Sequence, residues 1–406
     1  MKKRFFIAAL LTLTSLALLL ILNNLIEYSS FNSADLSIES LNNENKDSEK
    51  EIKLEYAEPI VQKPSDNLYV EILPSFELLS GVLAQTTWDK VRGPVNGVGN
   101  DYYKSLKEFF SQYKEHEAIK IAQELTDLGF TYDAPPAFIL TLGDLPTLNP
   151  DNEYSDYLIG RSGGKDILER FRLALIDLSE ESNFLQFFED NRDVLSVCMD
   201  SAIKNVDLME VINWNTSFYG ESNDEFHLVF APSMCFGGGY GATDENSDGS
   251  KIIYQIIREK GGTVTPYFSS GVDIGTLSLH EWGHAYVNPA IQLYSDDFSK
   301  YTLDEFFEPV KQEMSNMAYP ETIYFLNEQV LRSCTIVAYE ELYGKSIANR
   351  YIEYYESIGF YLTQFTIETL NQYTANREKY PNFKDFIPYL FEQYKLNKDS
   401  LLKLAN

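Results

Sequence analysis

The stretch Thr276-Leu277-Ser278-Leu279-His280-Glu281-Trp282-Gly283-His284-Ala285-Tyr286 constrains this chain more than any other, because it contains His-Glu-x-x-His. On an α-helix, residues four apart lie one turn apart on one face, so the imidazoles of His280 and His284 can reach a single metal ion. Glu281 can reach a water in a remaining coordination position and act there as general base. The flanks suit a helix packed inside a protein. Between residues 276 and 288 the sole formal charge is Glu281, and Leu277, Leu279, Trp282 and Tyr286 are bulky. With 4 histidines in 406 residues, this spacing is a poor candidate for accident. One Zn2+ ion is the expected metal.

Two histidines do not complete a catalytic zinc site, which takes three protein ligands and keeps a position open. His284 is the last histidine, and no Gly-x-x-His follows it, so a metzincin arrangement is excluded and the third ligand must be an Asp or Glu. The segment from Pro320 to Gly344 reads as a helix of about six turns, with Pro in its first turn and Gly at its stop. It offers Glu321, Glu328, Glu340 and Glu341. The helix dipole accounts for Glu321 in the first turn, and the C-terminal location of Glu340 and Glu341 suggests solvent exposure. Glu328 falls mid-helix among Leu326, Val330, Leu331 and Cys334, where a bare carboxylate is costly unless paired or on a metal. Glu328 is the expected third ligand, with Asp296, Asp297 and Glu321 as alternatives. Arg332, one turn further on, can pair with Glu328 or with a substrate carboxylate. Tyr240, Tyr324 and Arg332 are candidates for transition-state or substrate contacts, though no pattern distinguishes those two among 28 tyrosines.

Composition narrows the partners. A net charge of −28, from 61 acidic and 33 basic residues, argues against nucleic acid, which needs basic patches. The 28 Tyr and 26 Phe argue for a folded body despite that acidity. Cys198, Cys235 and Cys334 are too few and too scattered for a disulfide scaffold or a thiolate zinc site.

Lys2-Lys3-Arg4 followed by an apolar run over 5–22 reads as an export signal, and no suitable cleavage site follows. The expectation is an uncleaved anchor over 1–27 and an extracytoplasmic body attached to the membrane through it; secretion after cleavage is the alternative. Residues 28–66 are polar and acidic and read as a disordered tether. The body, 67–406, divides into a helical part over 67–205, a sheet with the metal-binding helix over 206–290, and a helical part over 291–406. In the first, 103–113 and 118–125 carry apolar residues at helical spacing, His116 between them reads as a surface or helix-end residue, and 137–142 reads as a short strand. Residues 226–231 and 252–257 read as strands and 209–214 as a weaker one, with His227 at the edge of the cleft. Asn288-Pro289 is expected to end the histidine-bearing helix, and Thr302-Leu303-Asp304-Glu305 resembles a capping box. Tyr380-Pro381 breaks the last helical stretch. The Gly237-Gly238-Gly239-Tyr240-Gly241 run lacks the Lys-Ser/Thr of a phosphate loop and reads as a flexible turn or substrate rim. Asp244-x-Asn246-x-Asp248-Gly249 begins like a calcium loop, but Gln255 stands where a bidentate Glu is needed, so calcium is not expected.

Asn327-Glu328-x-x-x-Arg332 on a helix after His-Glu-x-x-His resembles the gluzincin arrangement, the thermolysin-like clan whose third ligand is a downstream helical Glu. In that clan an Asp often stands four residues after the Glu and hydrogen-bonds a ligand histidine; this chain has Arg332 there, and the spacing from His284 to Glu328 is wider than in thermolysin. More closely, residues 102–117, the Gly-rich run, 280–289 and 328–332 resemble a bacterial family of exported proteins labelled domain of unknown function 4932, over about residues 68–396. These resemblances imply an α+β, zincin-like fold with a small, mainly antiparallel sheet beside the His-Glu-x-x-His helix, whose edge strand pairs with an extended substrate. They imply a zinc-dependent metallopeptidase acting on a peptide or protein. The rival expectations are an extracytoplasmic binding protein with a structural metal, and a zinc hydrolase of a non-peptide amide or ester.

Overall fold

The computed structural model describes residues 56–88, 100–150, 153–220, 224–234, 240–245, 249–260, 264–268 and 271–405. The expected anchor over 1–27, most of the tether, Gly237 to Gly239, and Asn246 and Asp248 of the calcium-like run lie outside the described residues. No described helix is long and apolar enough to cross a membrane.

Five strands form one sheet: β1 (Ile60–Ser65), β2 (Leu68–Ile72), β3 (Glu225–Ala231), β4 (Tyr240–Glu245) and β5 (Lys251–Arg258), in the order β1-β2-β3-β5-β4. β1 and β2 make an antiparallel hairpin; β2 runs parallel to β3 and β3 parallel to β5; β4 returns antiparallel along β5. The sheet is therefore mixed, which corrects the expectation of a mainly antiparallel one. The cause is the connection between β2 and β3, a long helical excursion of the kind a parallel pairing requires. β3 sits at the centre, and its continuous run Phe-His-Leu-Val-Phe-Ala is buried almost throughout, as a strand covered on both faces should be. β1 also corrects the tether, which was expected to reach residue 66, and the expectation of an all-helical start to the body.

The excursion comprises α1 (Pro74–Leu83), α2 (Asp101–Ser111), α3 (Glu117–Asp127), α4 (Ala134–Leu140), α5 (Asp156–Ser162), α6 (Lys165–Ser182), α7 (Phe184–Asp190), α8 (Arg192–Ile203) and α9 (Leu208–Tyr219). Two expected strands are thus helices. The segment 137–142 falls largely in α4, opened by Pro135 and Pro136 in its first turn. The segment 209–214 lies in α9, whose buried Leu208, Val211, Ile212, Asn215, Phe218 and Tyr219 recur at helical spacing behind an Asp207 cap.

After β5 come α10 (Val272–Gln292), α11 (Asp304–Phe307), α12 (Lys311–Asn316), α13 (Thr322–Tyr343), α14 (Lys345–Ser357), α15 (Thr363–Ala375), α16 (Phe383–Leu396) and α17 (Lys398–Leu401). α10 does not stop at Asn288. Pro289 lies inside it, near enough to the C-terminal end that the missing N–H and the ring cost only part of the last turn. The expected capping box is absent too: Thr302 adopts φ +57°, the cap of α11 is Leu303, and no side chain caps it. Gly344 does end α13, at φ +93°, and α15 and α16 are separated around Tyr380-Pro381 as expected.

α10 is the hub of the C-terminal half. It packs on the sheet through β4 and β5 and against α9, α13 and α16. Phe226 and Trp282 meet in a T-shaped arrangement with ring centroids 5.2 Å apart, and the Trp282 indole N–H donates to the main-chain oxygen of His227. The Tyr286 hydroxyl donates to Asp224 at 2.8 Å, and Tyr339 of α13 donates to the main-chain oxygen of Thr276. These bonds fix the helix against both layers.

Candidate metal centre

His280 and His284 project from one face of α10, with ring centroids 4.9 Å apart and planes at 81°. Glu328 comes from α13, which crosses beside them. Gly283 explains the close approach. A Cβ there would lie 2.5 Å from Leu331 Cδ1 of α13 and 3.0 Å from the Tyr219 hydroxyl of α9, so only glycine lets three helices meet at this turn. Glu328 Oε2 then lies 3.7 Å from His280 Nε2, and Oε1 lies 3.5 Å from His284 Nε2. Tetrahedral zinc with bonds of about 2.0–2.1 Å separates its ligand atoms by roughly 3.3 Å. The donors of all three residues lie within 4.8 Å of one another, so the arrangement fits such an ion with little adjustment. Two imidazoles and one carboxylate are also a donor set that zinc favours.

The surroundings set the protonation of these groups. His284 Nδ1 lies 3.2 Å from Asn288 Oδ1, which accepts its proton and leaves the Nε2 lone pair facing Glu328. Burial lowers the His280 pKa to about 3 against the pull of Glu328, with Arg332 and His284 adding to the shift, so this imidazole is neutral. Burial works against a charged Glu328, but Arg332, then His280 and His284, overcome it and hold the carboxyl at about 2. Arg332 Nη2 reaches Glu328 Oε2 at 2.7 Å. Its guanidinium lies 4.7 Å from the ring centres of both Tyr355 and Phe360, and Tyr319 also bonds to it.

Glu281 is buried at the foot of β4. A Cβ on Gly241 would lie 2.9 Å from the Glu281 main-chain oxygen and 3.3 Å from its Oε2, so the strand rests directly on this residue. Burial raises the Glu281 carboxyl to about 7, which brings its proton affinity into the range a general base uses near neutral pH. Gly241 N–H bonds to the carboxylate and opposes the rise.

The structure thus gathers His280, Glu281, His284 and Glu328, with Arg332 joined to Glu328. Tyr240 begins β4 next to Gly241 and is half-buried; Tyr324, on α13, is 47% exposed. The alternative ligands stand apart from the cluster: Asp296 and Asp297 lie in the short 3-10 turn Ser295–Asp297, and Glu321 is exposed at the N-cap of α13. His227 is not at a cleft edge. Its neighbour Phe226 faces α10, so His227 projects from the opposite face of the central strand, bonded to Glu71 and Glu225 and stacked on Tyr69.

A second group, His116 with Asp177 and Glu181, also has metal-ligand spacing. It is better explained as a hydrogen-bonded cluster. His116 Nδ1 accepts the Ala118 N–H as the N-cap of α3, so the proton sits on Nε2 and points at the two carboxylates, leaving no lone pair for a cation.

Two participants carry little sequence signal. Asn288 lies four residues after His284 and is legible at helical spacing, but Pro289 points to a helix end there. Tyr319 lies before α13, in a turn where Ala318 has φ +70° and Tyr319 N–H donates to Met314 O. Burial first and Glu328 second raise its phenol well above the usual range, with Glu281 contributing, so it stays protonated beside the cluster.

The fold and the cluster together define an α+β protein with a two-histidine, one-glutamate centre. The chain belongs to the family described as domain of unknown function (DUF4932), which matches residues 67–392. No curated protein and no solved structure matches it.

Proposed function

We propose that this protein is a zinc metallopeptidase of zincin-like, gluzincin-type architecture, exported and held at the membrane by its N-terminal segment. The observation that carries the reading is the convergence of His280, His284 and Glu328 from two helices, with Glu281 in the adjacent position under β4. A zinc ion held by the two Nε2 atoms and the Glu328 carboxylate would supply Lewis acidity and a bound water of lowered pKa. Glu281 accepts the proton of the attacking water and delivers it to the leaving nitrogen of the peptide. Asn288 and Arg332 keep His284 and Glu328 oriented. Tyr319 retains its phenolic proton near Glu281 and Glu328 and is better placed than Tyr240 or Tyr324 to donate a hydrogen bond to the developing oxyanion. Among the described residues β4 is an edge strand that pairs with β5, and an extended peptide would pair along it.

The test is zinc stoichiometry and peptide hydrolysis by the soluble body. Glu281→Gln is expected to retain one zinc and lose roughly 10²–10⁴-fold in kcat. Unchanged turnover removes Glu281 from the reaction. Zinc bound with no hydrolysis of any peptide, but with cleavage of chromogenic esters, moves the substrate class away from peptides.

A further inference from the structure

Gln255 stands in the middle of β5. Its register partners are Leu228 on β3 and Gly241 on β4, so the three positions form one row across the sheet. Side chains alternate between the faces of a strand, and Phe226 meets Trp282, so this row is on the face that carries α10. The place a Gly241 side chain would take is bordered by Glu281: a Cβ there would lie 3.3 Å from Glu281 Oε2. Residues directly opposed in an antiparallel pair have Cβ atoms about 4.5–5.5 Å apart. The Gln255 side chain therefore starts one strand spacing from Glu281, on the same face. Its amide is an anomaly there. Gln255 is 0% exposed, and neither Oε1 nor Nε2 has a hydrogen-bond partner among the described residues. Leaving a buried donor and acceptor unpaired is costly, and the neighbours on its own face of β5, Ile253 and Ile257, are aliphatic.

We propose that Gln255 is a positioning residue, whose amide holds the Glu281 carboxylate through one buried water and keeps it turned toward the metal position. The inference rests on the reading of Glu281 as general base. Buried waters lodge where polar groups converge that the protein does not itself pair, and the Gln255 amide beside the Glu281 carboxylate is such a place. Nε2 donates to the water and the water donates to the carboxylate. Gly241 N–H bonds that carboxylate from β4, so the water adds a second restraint from the direction of β5.

Gln255→Met separates this from a packing role, because it keeps the length of the side chain and carries no hydrogen-bonding amide. In a merely structural role, removing an unsatisfied amide leaves turnover unchanged and holds or raises the thermal midpoint. The proposal expects kcat to fall about 10–100-fold, with KM and one bound zinc unchanged and the thermal midpoint no lower. Unchanged kcat, or a kcat that falls together with zinc content and thermal midpoint, overturns it. If Gln255→Met does not fold, Gln255→Asn takes its place: it keeps an amide but draws it back by one methylene, and the same split between kcat and KM is expected. Crystal structures decide without a peptide. The native protein is expected to hold a water about 2.7–3.2 Å from both the Gln255 amide and a Glu281 carboxylate oxygen. The variant is expected to lack it and to show the Glu281 carboxylate turned away from His280 and His284. Either feature missing overturns the proposal. A protein that shows both but cleaves no peptide refutes the peptidase reading and leaves the placement of Glu281 by Gln255 standing.

Discussion

Two glycines set the geometry of the site. A side chain on residue 241 cannot fit without moving β4 off Glu281, since its Cβ would lie 2.9 Å from a main-chain oxygen. Gly241→Ala is therefore expected to lower kcat/KM by about 10–100-fold while zinc content stays at one, because a displacement of about 1 Å beside the reacting groups has that scale of effect. Full activity in this variant would mean that β4 does not form a wall of the cleft. Gly283→Ala instead overpacks the α10–α13 contact against Leu331 and should cost about 1–3 kcal/mol in urea unfolding, together with weaker zinc binding. The residues of the cluster are legible in the sequence. His280 and His284 announce themselves by spacing, and Glu328 by being a charge in an apolar helix. Tyr319 is not legible, because a turn with a left-handed residue brings it to the cluster and no periodicity encodes that. Arg332 reads as a partner of Glu328, but its aromatic neighbours Tyr355 and Phe360 lie on another helix and a following turn.

At the scale of elements, α1 carries the clearest pH dependence. Glu77 is fully buried beside Tyr102 and Ser233; burial raises its carboxyl to about 7, and those two neighbours oppose the rise. The folded chain therefore holds a proton that the unfolded chain, with the ordinary value of 4.5, releases earlier. Stability from this group is complete below about 4.5 and declines as pH rises through about 7, by on the order of 3 kcal/mol. Glu77→Gln mimics the protonated acid, so its stability relative to the native chain should rise by about that amount between pH 5 and pH 8 in urea titrations. Parallel pH profiles would show that the Glu77 proton is not coupled to folding. The elements are less legible than the cluster. Helices with long apolar stripes, such as α2 and α3, read correctly, whereas the β-branched and aromatic content of 209–214 suggests a strand that the 3.6-residue spacing of α9 overrides. β1 and β2 escape a sequence reading because short strands beside a polar segment have too few alternations to declare a period, and the parallel pairing of β2 with β3 depends on a partner more than 150 residues away along the chain.

For the whole molecule, a net charge of −28 acts at a distance that no single contact reaches. It should draw cationic peptides toward the cleft and slow acidic ones. Between about 20 mM and 500 mM salt, kcat/KM for a lysine-rich peptide is expected to fall severalfold and that for an acidic peptide of equal length to hold or rise. Equal salt dependence for both would confine recognition to short-range contacts. The same charge bears on β4 in another way. If β4 receives a peptide as proposed, the same edge could receive the matching edge of a second copy, which is how exposed strands seed aggregates. Mutual repulsion between acidic bodies holds such copies apart, and it vanishes near the isoelectric point of about 4.5. On that proposal the acidity is also a form of colloidal protection, keeping edge strands of separate copies from adhering to one another.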